Sequence, residues 1–360
     1  MKSNHYQLSD LVRIKYGKNQ KDVVSDCGTV PIYGTGGLMA YATKPLYTKP
    51  SVLIGRKGTI GKVKYVDHPF WTVDTLFYTE VNEDLVIPKY LYYLMSQIDL
   101  NAYNEGTTIP SLRTETLNRL EFDIPCLEDQ KKALSYLEPI DNKIALNERI
   151  NNNLSEQIQA IYREDFDPTT HKPTGFLSDI CHYSSERISI SDLSVSTYFS
   201  TENMQPNKAG AVNATSLPTI SQTTKCHKGD VLISNIRPYF KKIVYVSDEC
   251  GCSTDVLCFV PNDSSLSAFL FSTVYADRFF DYMVAGSKGT KMPRGDKQQI
   301  MKYPVVVPST HALISFSDTV KPMLETIANN RAENIRLADI RDALLPRLMS
   351  GELDVSELDI

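Results

Sequence analysis

A chain of 360 residues with 42% hydrophobic side chains is long enough for two globular domains with cores of their own, and too apolar to stay disordered. No run of about 18 apolar residues occurs, and the opening Met1-Lys-Ser-Asn-His-Tyr-Gln-Leu8 lacks a signal-peptide core, so no membrane span is expected and the chain is expected in the cytoplasm. The net charge of −5 is uneven: residues 1–125 carry 14 basic and 13 acidic side chains and residues 169–308 carry 14 and 12, while residues 126–168 and 309–360 each carry 5 and 9.

Residues 1–126 mix short apolar runs, helical stretches and glycine turns, the pattern of a mixed α/β domain. Residues 43–66 hold Lys44, Lys49, Arg56, Lys57, Lys62 and Lys64 with no acidic residue, interleaved with Tyr47 and Tyr65. The turns Tyr33-Gly-Thr-Gly-Gly37 and Gly55 to Gly61 permit close backbone approach to a ligand. Gly106-Thr107-Thr108-Ile109-Pro110 and Arg113 follow. Residues 127–167 are helical: Leu137, Ile140, Ile144, Asn147, Asn151, Leu154, Ile158 and Ile161 alternate spacings of 3 and 4, the seam of a coiled coil. Residues 168–308 form a second mixed domain with Lys225, Lys228, Arg237, Tyr239, Lys241 and Lys242, then Lys288, Lys291, Arg294 and Lys297 around Gly289-Thr290-Lys291-Met292-Pro293. Residues 309–348 repeat the seam with Val320, Met323, Ile327, Asn330, Asn334, Leu337, Arg341 and Leu344. Pro139 and Pro322 are expected to begin the long helices, each after a short helix, and Pro346 to close the second. Residues 349–360 are an acidic tail with no derivable role.

The chain is an internal duplication. Gly106 matches Gly289, Pro110 Pro293, Pro125 Pro308, Pro139 Pro322, Asn147 Asn330 and Asn151 Asn334, all at an offset of 183. Upstream the offset drifts: Val52-Leu-Ile54 resembles Val231-Leu-Ile233, Tyr65-Val66 resembles Tyr245-Val246, and Asp74 sits like Asp255. If the two helices pair antiparallel, residues whose numbers sum to 481 face each other. Ile144 then meets Leu337, Leu154 meets Ile327, Asn147 meets Asn334 and Asn151 meets Asn330, two polar layers that fix register at some cost in stability.

Enzymatic readings fail on the residues. Gly55-Arg-Lys-Gly-Thr-Ile-Gly61-Lys62-Val63 has five residues between its outer glycines where a phosphate loop has four, and Val where Mg²⁺ needs a hydroxyl. The string Asp167-Pro-Thr-Thr170 lacks the second proline and the aromatic residue of an adenine methyltransferase element. Asp129-Gln-Lys131 and Asp141-Asn-Lys143 lie on helical segments as solvated charge, and the six histidines form no spacing pattern. Seven scattered cysteines, with Cys226-His227 and Cys250-Gly-Cys252 the nearest approach to a ligand cluster, lack zinc-site spacing, so reduced thiols and no metal are expected.

Ser51-Val-Leu-Ile-Gly-Arg-Lys-Gly-Thr-Ile-Gly-Lys62, Gly106-Thr-Thr-Ile-Pro-Ser-Leu112, the helix start after Pro125 and the ending Asp342-Ala-Leu-Leu-Pro-Arg-Leu-Met-Ser-Gly-Glu352-Leu resemble the type I restriction-modification specificity subunits, over nearly the whole chain. The resemblance implies two α/β target-recognition domains joined by helices that form an antiparallel coiled coil, each domain reading one half of an asymmetric DNA site. It implies two methyltransferase subunits and restriction/motor subunits as partners. S-adenosylmethionine, ATP and Mg²⁺ would then sit on those partners, with no cofactor and no catalysis on this chain. Residue chemistry makes Tyr33, Lys44, Arg56, Lys57, Lys62, Thr107, Thr108, Arg113, Arg237, Tyr239, Lys241, Lys242, Thr290, Lys291 and Arg294 the candidates for double-stranded DNA contact.

A helix over residues 139–163 spans roughly 37 Å at ~1.5 Å per residue. At ~3.4 Å per base pair that is about 11 base pairs between half-site centres, leaving about seven unread. The same pattern admits a helical adaptor whose globular domains bind protein instead of DNA, or a methylation system without a nuclease.

Overall fold

The computed structural model describes residues 3–354; residues 1–2 and 355–360, the latter most of the acidic tail, lie outside the described residues. Contacts divide the chain into two compact units, residues 1–142 with 337–360, and residues 143–336. The fold is mixed α/β in both.

In the first unit, β1 (Ser3–Gln7) leads through a single turn, α1 (Leu8–Leu11), into β2 (Val12–Tyr16). Next come β3 (Val30–Gly34), β4 (Gly37–Ala42), β5 (Ser51–Gly55), β6 (Val63–Val66), β7 (Trp71–Thr72) and β8 (Leu76–Val81). Then α2 (Pro88–Ser96), α3 (Thr114–Asn118) and β9 (Glu121–Pro125) lead to α4 (Leu127–Phe166). The main sheet runs β2-β8-β5-β6, all antiparallel, and a smaller sheet runs β4-β3-β7. Every residue of β5 is buried, as a central strand of this apolar composition requires. The core gathers Leu8, Leu11, Ile54, Phe77 and Tyr90 with Leu137 of α4.

The second unit repeats the plan. Its strands are β10 (Gly175–Phe176), β11 (Cys181–Tyr183), β12 (Arg187–Ser189), β13 (Tyr198–Phe199), β14 (Gln222–Cys226), β15 (Val231–Ser234), β16 (Ile243–Tyr245), β17 (Cys250–Cys252), β18 (Val256–Pro261) and β19 (Pro304–Val305). Helices α5 (Ser267–Tyr275), α6 (Asp277–Ala285) and α7 (Lys297–Ile300) precede α8 (Thr310–Met349). The main sheet runs β11-β18-β15-β16, strand for strand the order of the first unit. The equivalence reaches single pairs: Val52 opposes Tyr65 across β5 and β6, and Val231 opposes Tyr245 across β15 and β16. Cys226, Cys250, Cys252 and Cys258 pack with Leu232 and Val244 as small apolar core residues.

The long helices differ from expectation. Pro139 and Pro322 do not begin them; each helix is continuous over 40 residues, with these prolines and Pro346 inside. A helical proline frees the carbonyl four residues earlier. Here Pro139 and Ser135, Pro322 and Asp318, and Pro346 and Asp342 are all exposed residues, so the prolines lie on exposed faces of the helices.

Within the second unit the two helical segments run antiparallel. Asn147 Nδ2 donates to Asn334 Oδ1 at 2.8 Å and to Glu333 Oε2 at 2.7 Å, and Asn330 Nδ2 donates to Asn151 Oδ1 at 2.9 Å. Asn147 and Asn151 are buried, and Leu154 and Ile327 share the apolar cluster below them. In the first unit Arg341, the charged seam residue, is held by Asp141 at 3.1 Å, which also takes the Tyr93 hydroxyl at 2.6 Å. Asn330→Ala strips Asn151 of its donor in a buried layer and is expected to lower stability by about 1–3 kcal/mol. The double change Asn151→Leu with Asn330→Leu removes both polar groups and should cost less than the single one, as read from urea-unfolding midpoints.

Candidate nucleic-acid interface

The chain leaving β5 turns back on itself. A Cβ at Gly55 would stand 2.1 Å from the Thr59 carbonyl oxygen, so only glycine lets the loop close. Arg56 and Lys57 both donate their amides to the Thr75 carbonyl, at 2.8 and 3.2 Å. The extension then pairs with the Gly-Thr-x-x-Pro turn: Gly58 N donates to Pro110 O and Leu112 N to Arg56 O, both at 2.9 Å. Asn104 Oδ1 closes the turn by accepting from Gly106 N and Ser111 N, both at 2.9 Å.

The second unit builds the same device from other residues. Arg237 N donates to Pro293 O at 2.8 Å and Gly295 N to Asn235 O at 3.2 Å, while Lys288 and Arg294 exchange two backbone bonds at 2.9 Å. Arg237 therefore takes the place of Gly58, and both have positive φ, +50° and +87°. A non-glycine residue there carries strain on the order of 1 kcal/mol or more. The Arg237 Nε is buried with no hydrogen-bond partner, and so is the Oδ1 of Asn235 two residues before it.

The candidate side chains divide into three groups. Lys57, Thr107 and Thr108 come together, exposed, at the first turn, as do Thr290 and Lys291 at the second. Among the described residues Lys44, Lys57, Lys62 and Lys291 are exposed with no ion-pair partner, which leaves their charge available to an anion. Others are spoken for. Arg56 donates to the Asp74 carbonyl at 2.9 Å and lies 4.9 Å over the Tyr16 ring, Arg113 pairs with Glu105 at 3.0 Å, and Arg294 pairs with Asp255 at 3.1 Å. Lys241, also at positive φ, bonds Asp277 at 2.6 Å, and Lys242 donates to the Thr201 carbonyl while burial lowers its pKa.

Tyr33 is buried with its hydroxyl 3.1 Å from His68 Nε2 and Lys64 Nζ 3.9 Å over its ring, so it supports a surface and does not form one. Burial raises its pKa. Tyr239 is exposed and stacks on Phe240 with centroids 4.8 Å apart. Lys44 follows β4, away from the β5 extension in sequence.

Three exposed apolar residues escaped the sequence reading: Phe240, Ile109 and Met292. For the last two the signal was present, because the repeated turn carries an apolar residue before its proline in both copies. A Cβ at Gly106 would stand 1.9 Å from the Ile109 carbonyl oxygen. Gly106→Ala should therefore open the turn and lower the melting temperature of the chain, whereas Thr107→Ala, exposed beside it, should leave that temperature within about a degree.

The family described as type I restriction modification DNA specificity domain matches residues 2–156. The chain is 23% identical over 346 residues to the type I restriction enzyme MjaIX specificity subunit of Methanocaldococcus jannaschii, covering 87% of this chain and 80% of that protein. It is 22% identical over 385 residues to the HindI specificity subunit of Haemophilus influenzae, covering 81% and 84%. The crystal structure of a type I restriction-modification system S subunit from M. genitalium superposes with a TM-score of 0.57 at 16% identity, covering 96% of each chain, a likeness of fold.

The duplicated α/β unit with its basic strand-and-turn device and two long helices is a fold shared with that S subunit. Residues 2–156 match that specificity-domain family, and over most of its length the chain is similar to specificity subunits of type I restriction-modification systems.

Proposed function

We propose that the chain reads an asymmetric two-part DNA site, one half per α/β domain (residues 1–126 and 168–308), for a type I complex. The observation that carries this reading is the repeated device: in both units a strand extension is clamped to a Gly-Thr-x-x-Pro turn that presents hydroxyls beside unpaired lysine. Identical backbone bonds with different side chains suit two different half-sites, since base edges are read by side chains and phosphates by charge. The two helical regions, residues 127–167 and 309–348, join the domains as an antiparallel pair and dock two methyltransferase subunits, with restriction/motor subunits added to the same assembly. S-adenosylmethionine, ATP and Mg²⁺ belong to those partners.

The reading is tested by expressing the chain with its neighbouring methyltransferase subunit and sequencing host DNA for methylated adenines. A split sequence of two short halves around a fixed gap is expected only when this chain is present. Arg237→Ala should alter one half and leave the other. A soluble complex that methylates no split sequence would overturn the reading in favour of a protein-binding adaptor. Lys57→Ala should weaken DNA binding without changing the sequence read, and reduce the slope of log K against log salt by about 0.9, measured by fluorescence anisotropy of the assembled complex across a salt series.

A further inference from the structure

Ile109 and Met292 occupy the same position in the two repeated turns, 183 residues apart, and are exposed to 59% and 47%. A single exposed apolar residue is ordinary on any protein surface. The same exposure at the same place in two units of otherwise dissimilar sequence is a property of the device. The turns hold these side chains out. The first is closed by Asn104 and by the Gly58 to Pro110 bond; the second is closed by the Lys288 and Arg294 pair and contains Gly289 at φ +99°. Neither side chain belongs to any of the packed clusters.

The setting indicates what such a side chain would enter. Each apolar tip lies beside groups suited to a polyanion: Thr107, Thr108 and Lys57 in the first unit, Thr290 and Lys291 in the second. A protein-docking patch groups several apolar residues together. A lone aliphatic tip within a hydroxyl and lysine rim matches the side chains that enter a DNA groove and part a base step, which the phosphate contacts around them offset.

We propose that Ile109 and Met292 are wedges, one for each half of the DNA site, each entering the duplex and unstacking a base step within its half. This rests on the DNA-reading function proposed above. The wedge adds specificity through the deformability of the step it enters, at positions no polar side chain reads.

The experiment uses the complex of this chain with its methyltransferase subunits and duplexes carrying 2-aminopurine at each adenine in turn, omitting the methylated adenines and their neighbours, where base flipping would also raise the signal. With the wild-type chain, fluorescence should rise severalfold at one step in each half-site. Ile109→Ala should abolish the rise in one half only and Met292→Ala in the other, each weakening binding about tenfold, as a lost apolar base contact of about 1.4 kcal/mol would. Ile109→Met and Met292→Ile should restore both. Because both residues are exposed, unchanged melting temperatures are expected and verify folding. Specific binding with no fluorescence rise, or a rise that survives both alanine changes, would overturn the wedges while leaving the DNA-reading function intact. Absence of any specific binding by the wild-type complex would overturn that function itself, and the wedges with it.

Discussion

One backbone hydrogen bond recurs in both units and sets the geometry of everything around it: the amide that follows the central strand donates to the proline carbonyl of the Gly-Thr-x-x-Pro turn, Gly58 to Pro110 and Arg237 to Pro293. The bond ties an otherwise solvent-exposed turn to the most buried strand of each sheet. Its consequences are local and rigid. The residue that makes it must adopt positive φ, the glycine at the start of the turn must lack a Cβ in the first unit, and the residues between are held outward. A loop anchored in this way can vary in side chain without losing its path, which is what a recognition surface on a fixed scaffold needs.

Divergence between the copies follows the same logic. Cross-strand pairs such as buried Val52 with Tyr65 and buried Val231 with Tyr245 are retained because they close a sheet over a core. The loop after the strand is not. In the first unit Ile60 is buried, while at the matching place in the second, Tyr239 is exposed against Phe240. Gly58 becomes Arg237, which accepts a strained backbone and leaves its Nε without a partner. Strain and an unsatisfied donor therefore coincide in this one residue.

The helical half of the architecture was legible in the sequence because a seam of alternating 3 and 4 spacings has one physical reading, and the duplication placed its two copies in register. The prolines misled because sequence does not show which face of a helix they occupy; on exposed faces, they leave the helix unbroken. The basic runs were legible, and Thr107 and Thr108 are exposed at the first turn with Lys57, as Thr290 and Lys291 are at the second. Partner choice was not. Arg56, Lys241 and Arg294 are engaged by Asp74, Asp277 and Asp255, residues far along the chain that no local pattern connects to them.

The two asparagine layers show why a stable apolar seam was not simply extended. In the second unit, Asn147 meets Asn334 and Asn151 meets Asn330, layers four residues apart on each helix. With one such layer, a slip of one helical turn would cost a single pair. With two, a slip in either direction keeps at most one Asn–Asn contact and strands the other amides. It sets Asn151 against Thr326 and Lys143 against Asn334 in one direction, and Asn147 against Ala338 and Ser155 against Asn330 in the other. Each stranded buried amide costs on the order of 1–3 kcal/mol, whereas an all-leucine seam would tolerate the slip. The layers surrender some stability for a unique register. A slip of one turn would shift the paired helices by about 5.4 Å, and the two asparagine layers in the second unit make that shift costly.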